Sequence, residues 1–112
     1  MPPTPAEVLL VVRAYAHLLE ERFGTRLLTL RIFGSHARGD ADESSDIDVA
    51  VVVKDLTERE RTVAIDLALT AWKTDPSAGQ ISPLVWSELE FEDRRRAERR
   101  IVRDILSEGI VP

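Results

Sequence analysis

Residues 34 to 48 read Gly-Ser-His-Ala-Arg-Gly-Asp-Ala-Asp-Glu-Ser-Ser-Asp-Ile-Asp. Leu27 to Phe33 is an apolar run that ends at Gly34-Ser35, and Val49 to Val53 is a second run that begins behind Asp48. The pattern predicts a strand, a Gly-Ser turn, a polar loop, an Asp-x-Asp pair and a second strand. Side chains alternate across a strand, so Asp46 and Asp48 share one face with their backbones roughly 6.6 Å apart. Ile47, Val49, Val51 and Val53 fall on the other face. Ala50 continues the aspartate face with little bulk, and room is expected above it. The turn and the two aspartates should meet at one end of one small sheet.

Two carboxylates at that spacing can converge on a divalent ion or bracket a pair of ions about 4 Å apart. Oxygen ligands suit Mg²⁺ or Mn²⁺, and Mg²⁺ is commonly held by one or two carboxylates together with substrate phosphates. Asp46 and Asp48 are the candidate metal ligands. Gly34 tolerates positive φ and lets backbone approach a ligand closely. Ser35 adds a hydroxyl and an N–H, and a helical turn starting there would aim free N–H groups at an anion. Arg38 lies one turn on, within reach of a phosphate oxygen. Taken singly, Gly-Ser is an ordinary turn and Ser45 or Asp46 an ordinary cap; both halves at this spacing favour a phosphate and metal site. The loop acids Asp40, Asp42 and Glu43 are expected to be solvated, and their replacement by Ala to matter little.

Gly34-Ser35, ten intervening residues and Asp46-Ile47-Asp48 resemble the signature of the DNA-polymerase-β-like nucleotidyltransferase superfamily. The fuller string to Val53 looks most like its minimal, MNT-type members. The resemblance implies that a hydroxyl attacks the α-phosphate of a nucleoside triphosphate, most plainly ATP giving up AMP, and that pyrophosphate leaves. It implies that Gly34 and Ser35, with Arg38 beside them, hold phosphates, and that Asp46 and Asp48 are catalytic residues holding Mg²⁺. It further implies a helical, HEPN-like toxin as partner, because small members often act as antitoxins and some add AMP to the toxin. The superfamily also has a third carboxylate on the strand after the next helix. Here that strand is Ile81 to Trp86, which contains no acid; Glu88 and Glu90 follow it, and Asp75 precedes it. Three readings stay open: an active transferase, a binding-type antitoxin with a vestigial site, and a nucleotide-binding subunit of a larger transferase.

The chain has 112 residues, 44% of them hydrophobic and 31% charged, the balance of one small domain spanning 1–112. It has no cysteine, hence no disulfide framework or thiol chemistry, and a cytoplasmic location is expected. No secretory signal opens it, and no apolar run approaches the roughly 18 residues of a membrane span. A net charge of −5 argues against broad nucleic-acid binding. Self-association is left open. The charge is uneven: Arg38 to Asp48 is acidic, whereas Glu92 to Arg103 carries six arginines against three acids. The second run reads as the solvated side of a helix, or as a docking face for an acidic partner or a polyphosphate tail.

Three capping boxes, Thr4–Glu7, Thr57–Glu60 and Ser87–Glu90, mark three helix starts. They predict helices over Pro5–Phe23, Glu58–Lys73 and Glu88–Ser107, the last with Ala97, Ile101 and Ile105 in line. They also give Glu88 and Glu90 a plain role at a helix start. Strands are expected over Leu27–Phe33, Asp46–Val53 and Ile81–Trp86, with the valine-rich second central and the third, which holds Pro83, at an edge. The expected fold is α+β: a small mixed sheet of three to four strands, with three helices packed mainly on one face. The opposite face is expected to be partly open. The second helix should cross the sheet through Ala64, Leu67 and Ala71, with Val63, Ile65 and Trp72 also buried. His17, His36, Trp72 and Trp86 read as structural or contact residues.

Overall fold

The computed structural model describes residues 3–42, 44–74, 76, 79–97 and 99–112. Glu43, Asp75 and Glu98, named above, lie outside the described residues. The elements in chain order are α1 (Pro5–Phe23), β1 (Leu27–Phe33), α2 (Ser35–Arg38), β2 (Ile47–Val53), α3 (Glu58–Thr74), β3 (Ile81–Ser87), α4 (Glu88–Arg96) and α5 (Arg100–Glu108). A 3₁₀ turn, Gly24–Arg26, joins α1 to β1.

All three capping boxes form. The Thr4, Thr57 and Ser87 hydroxyls accept from the N–H of Glu7, Glu60 and Glu90 at 3.2, 3.1 and 3.1 Å, and each glutamate accepts from the cap residue's N–H in return. Each box satisfies two of the amides that a helix start leaves without partners.

The sheet order is β1-β2-β3, with β1 antiparallel and β3 parallel to the central β2. A parallel neighbour needs a crossover, which α3 supplies. The register places Phe33 and Ser82 on either side of Asp48. Pro83 lies on the edge strand, as its missing N–H requires. The strand begins at Ile47, so Asp46 stands one residue ahead of it.

Ile47, Val49, Val51 and Val53 face the main core, where Val8, Val12, Tyr15 and Leu19 of α1 and Ala64, Ala68 and Ala71 of α3 meet them. The alanines let α3 sit close, but its outer side is bare: Ile65 and Leu69 are exposed, and Val63, Leu67 and Trp72 are partly so. The expected burial of Ile65 is not realised, because α3 turns Ala64, Ala68 and Ala71 inward and Ile65 falls off that stripe. The Tyr15 hydroxyl ties the two helices, donating to the Ala64 carbonyl at 2.8 Å in the buried core. Tyr15→Phe should cost about 1 kcal/mol of unfolding free energy, the net value of one hydrogen bond, because the ring still fills its site. Urea unfolding checks this through a lower midpoint at unchanged slope.

The expected third helix is two. Between Phe91 and Ile101 the only apolar residue is Ala97, so no stripe holds a continuous helix to the sheet. Arg95/Arg99 and Arg96/Arg100 would also stack like charges four apart. α4 ends at Arg96 and the chain restarts as α5 at Arg100, which turns Val102 and Ile105 inward and leaves Ile101 38% exposed. With Phe33 and Trp86, these two residues bury Ala50 completely. The room expected above Ala50 is therefore filled, and only the Asp48 end of that face stays open. Beyond α5, Ile110 pairs with Ile32 through two N–H···O bonds of 2.8 Å, which pins the end of the chain to the β1 edge.

Arg26 locks the other end of the sheet. Its guanidinium donates to both Glu60 oxygens at 2.8 and 2.7 Å and to the carbonyls of Lys54 and Asp55. This bidentate contact, with the Thr57 amide, holds the Glu60 carboxyl far below its ordinary 4.5, at about 2. A depressed carboxyl stabilises the fold above its ordinary value, and that share is lost on protonation. Stability should thus fall between about pH 4.5 and pH 2. Glu60→Gln, which can still cap Thr57, should flatten that part of an acid-unfolding curve.

Candidate active site

Gly34 leaves β1 with φ 74° and ψ −151°, and its carbonyl accepts from the amides of Ala37 and Arg38 at 3.1 and 3.0 Å, closing α2. A Cβ built on Gly34 would stand 2.3 Å from Oδ2 of Asp48. The glycine is therefore needed twice, for its conformation and for the carboxylate against it. The expected helical turn at Ser35 is α2, and the Gly-Ser turn and Asp48 lie in contact, one strand apart.

A cleft of about 500 Å³ opens at this point, lined by Phe33, Gly34, Ser35, Arg38 and Asp48, and from α5 by Arg100, Ile101 and Asp104. Asp48 is half-buried. Burial first, and then the charge of Asp46, raise its carboxyl above the ordinary carboxylate range, while His36 and Arg38 act against the rise. Asp46 is exposed and lies outside the lining, yet close enough for that repulsion. Two carboxylates that repel each other beside a glycine backbone are an arrangement that a cation would relieve.

Arg38 is 44% exposed and pairs with Asp40 at 3.4 Å and with Glu108 of α5 at 3.6 Å. These partners hold the guanidinium at the cleft wall and raise its affinity for its proton, Asp40 contributing most. Asp42 is exposed in the loop as expected, and its carboxylate accepts from the Ser44 amide, the Ser44 hydroxyl and the Ser45 hydroxyl at 2.9, 2.8 and 3.2 Å. These bonds, the Ser44 hydroxyl's foremost, lower its carboxyl, and they order the loop that delivers Asp46. The backbone oxygen of Ser45 also lies 3.3 Å from His36 Nε2, which ties that loop to α2. His36 serves the frame of the site.

The β3 residue beside Asp48 is Ser82, so the strand offers no acid there. Glu88 follows Ser82 by six residues, about 20 Å along a strand. Its carboxylate instead accepts from the Asp55 amide at 2.9 Å, and Glu90 pairs with Arg61 at 2.6 Å. Neither reaches the cleft. Among the described residues no three His, Cys, Asp or Glu side chains gather as a metal cluster. Arg100, Ile101 and Asp104 went unforeseen; the arginine-rich run was their signal, but a single straight helix gave no reason to fold it over the sheet. A second, apolar hollow of about 300 Å³ behind α2 is lined by Pro5, Val8, Ile32, His36 and Ile110 among others, and contains neither aspartate.

The sequence matches the nucleotidyltransferase domain family over residues 12–111. The chain belongs to that family. It is 32% identical over 68 residues to protein adenylyltransferase MntA of Thermococcus cleftensis, a match covering 61% of this chain and 67% of that protein. It is 45% identical over 40 residues to a Methanocaldococcus jannaschii protein with a provisional protein-adenylyltransferase name, covering 36% of this chain and 27% of that one. The chain thus spans about a quarter to two thirds of these relatives' lengths. A crystal structure of a toxin–antitoxin with AMP-PNP superposes with a TM-score of 0.56 at 22% identity, over 86% of this chain and 68% of the other. That likeness shows a shared fold. No described helix is long and apolar enough to cross a membrane.

Proposed function

We propose that this nucleotidyltransferase-family chain binds ATP with Mg²⁺ in the Gly34–Asp48 cleft and transfers AMP to a hydroxyl on a partner protein. The observation that supports the reading is the contact between Gly34 and the Asp48 carboxylate, which sets the turn we read as phosphate-binding against one of the two aspartates we read as metal ligands. The donor set fits the metal: two carboxylates leave Mg²⁺ room for waters and phosphate oxygens, and their mutual repulsion is what a divalent ion would quench. When bound, Mg²⁺ would neutralise triphosphate charge and favour departure of pyrophosphate.

The chain's own groups supply the remainder. Gly34 and Ser35 admit the triphosphate close to backbone, and Arg38, braced by Asp40 and Glu108, offers a fixed guanidinium for its oxygens. The acceptor oxygen attacks the α-phosphorus, the bond from that phosphorus to the bridging oxygen breaks, and the hydroxyl proton must pass to a base. Ser82 stands where β3 would offer one, and general-base help is worth roughly 10²–10⁴ in rate. The lone chain should therefore transfer slowly, with a partner supplying the acceptor and the missing acid. A helical, HEPN-like protein is the partner we propose, since the relatives include a protein adenylyltransferase and a toxin–antitoxin assembly. The absent acid on β3 also supports a second reading, a binding-type antitoxin with a vestigial site.

Incubation with α-labelled ATP and Mg²⁺, alone and with the product of any adjacent gene, separates the two. Label should enter the partner rapidly in the pair and slowly or not at all in the lone chain. Rapid labelling by the lone chain would refute the need for a partner, and no labelling in any pairing would establish the binding-only reading.

A further inference from the structure

The buried side of α5 is Val102 and Ile105; the outward side carries Arg100, Arg103 and Ser107, one turn apart. A shallow groove of about 580 Å³ runs along it, lined by Arg100, Arg103, Asp104, Leu106 and Ser107. The groove shares Arg100 and Asp104 with the cleft, so a chain lying in it leads directly to Asp48. By contrast, Arg26 and Arg61 have glutamate partners at 2.7 and 2.6 Å. Arg100 is 88% exposed, and its nearest carboxylate, Asp104, is 4.0 Å away. Arg103 is exposed and, among the described residues, has no carboxylate within 4.0 Å. Leu106 in the groove and Ile101 at the cleft add exposed apolar surface beside these charges.

We propose that this face of α5 is the docking surface for an acidic, partly apolar polypeptide segment that presents the acceptor hydroxyl to the cleft. The proposal rests on the transfer reading above and specifies the chemistry of the acceptor. Charge complementarity selects the occupant. Residues three apart on a helix stand about 5–6 Å apart, and alternate residues of an extended peptide about 6.6 Å. Arg100 and Arg103 thus match two carboxylates at alternate positions, with an aliphatic side chain against Leu106. A nucleic acid would need a longer run of cations; here Asp104 stands beside the pair, and the whole chain carries a net charge of −5.

The test uses a fluorescein-labelled nine-residue peptide in which glutamate and leucine alternate ahead of a serine, and the same peptide with glutamine for glutamate. By anisotropy at low salt, the acidic peptide should bind about tenfold tighter than its glutamine counterpart, the sum of a few exposed ion pairs. Arg103→Glu should lose about fivefold of that affinity and instead prefer a lysine-for-glutamate peptide; Arg103→Gln should lose less, in the same direction. Arg13→Glu, on the exposed side of α1, should change nothing. Equal binding of the two peptides, equal losses in the Arg13 and Arg103 variants, or tighter binding of a single-stranded oligonucleotide would overturn the proposal. ATP–Mg²⁺ binding is read separately by calorimetry. Peptide discrimination lost while nucleotide still binds refutes docking alone; nucleotide failing to bind while the peptide docks refutes the transfer reading alone.

Discussion

Asp48→Asn should abolish transfer without weakening the fold. The change keeps size and hydrogen-bonding capacity but removes the charge that would meet Mg²⁺ and triphosphate. Loss of a metal contact in the transition state is worth several kcal/mol, so labelling of the partner should fall by roughly 10³, equivalent to about 4 kcal/mol. Stability should move the other way. The Asp48 carboxyl is raised by burial and by Asp46, so its ionised form weighs against the folded chain. The neutral variant should melt at or above the wild-type temperature, the sign of a group placed for function at some expense of stability. An Asp48→Asn chain that melts early would mean that the carboxylate serves the fold.

Gly34→Ala should damage both fold and site. The positive φ costs an L-residue roughly 1–2 kcal/mol, and the new methyl group would collide with Asp48 Oδ2 at 2.3 Å. Either the carboxylate or the turn must shift, so nucleotide affinity should fall by at least about tenfold, and more if both shift. Gly39→Ala is the matched control. Gly39 has φ 84°, yet nothing lies within 4 Å of its Cβ position. It should show a similar loss in thermal stability and retain nucleotide affinity. Equal loss of affinity in both variants would mean that general loosening of α2, and not the contact with Asp48, is responsible.

Much of this architecture was legible in the sequence because local rules and global needs agree. Capping boxes at Thr4, Thr57 and Ser87 set the helix starts, and the valine-rich run of β2 marked the central strand. The Gly-Ser turn and Asp-x-Asp pair could be placed at one sheet end from alternation alone. What escaped was tertiary. The arginine-rich, stripe-less run after Phe91 was a local hint that α4 ends at Arg96, but only the need to cover Ala50 brings Val102 and Ile105 onto the aspartate face. That fold-back places Arg100 and Asp104 in the cleft. Glu88 illustrates the reverse: close in sequence to the strand that should carry an acid, it lies at the far end of the sheet on the Asp55 amide. Asp42 is the solvated loop acid expected, and it also accepts hydrogen bonds from two serines of that loop.

The central claim is that the Gly34–Ser35 turn and the Asp46–Asp48 pair form one Mg²⁺-dependent ATP site. Titration of a non-hydrolysable ATP analogue by calorimetry, with and without Mg²⁺, for the wild type and for Asp46→Asn with Asp48→Asn, tests it most directly. The wild type should bind in a 1:1 complex only when Mg²⁺ is present, and the double variant should show no added affinity from the metal. Mg²⁺-dependent binding that survives unchanged in the double variant would place the nucleotide elsewhere and contradict the account.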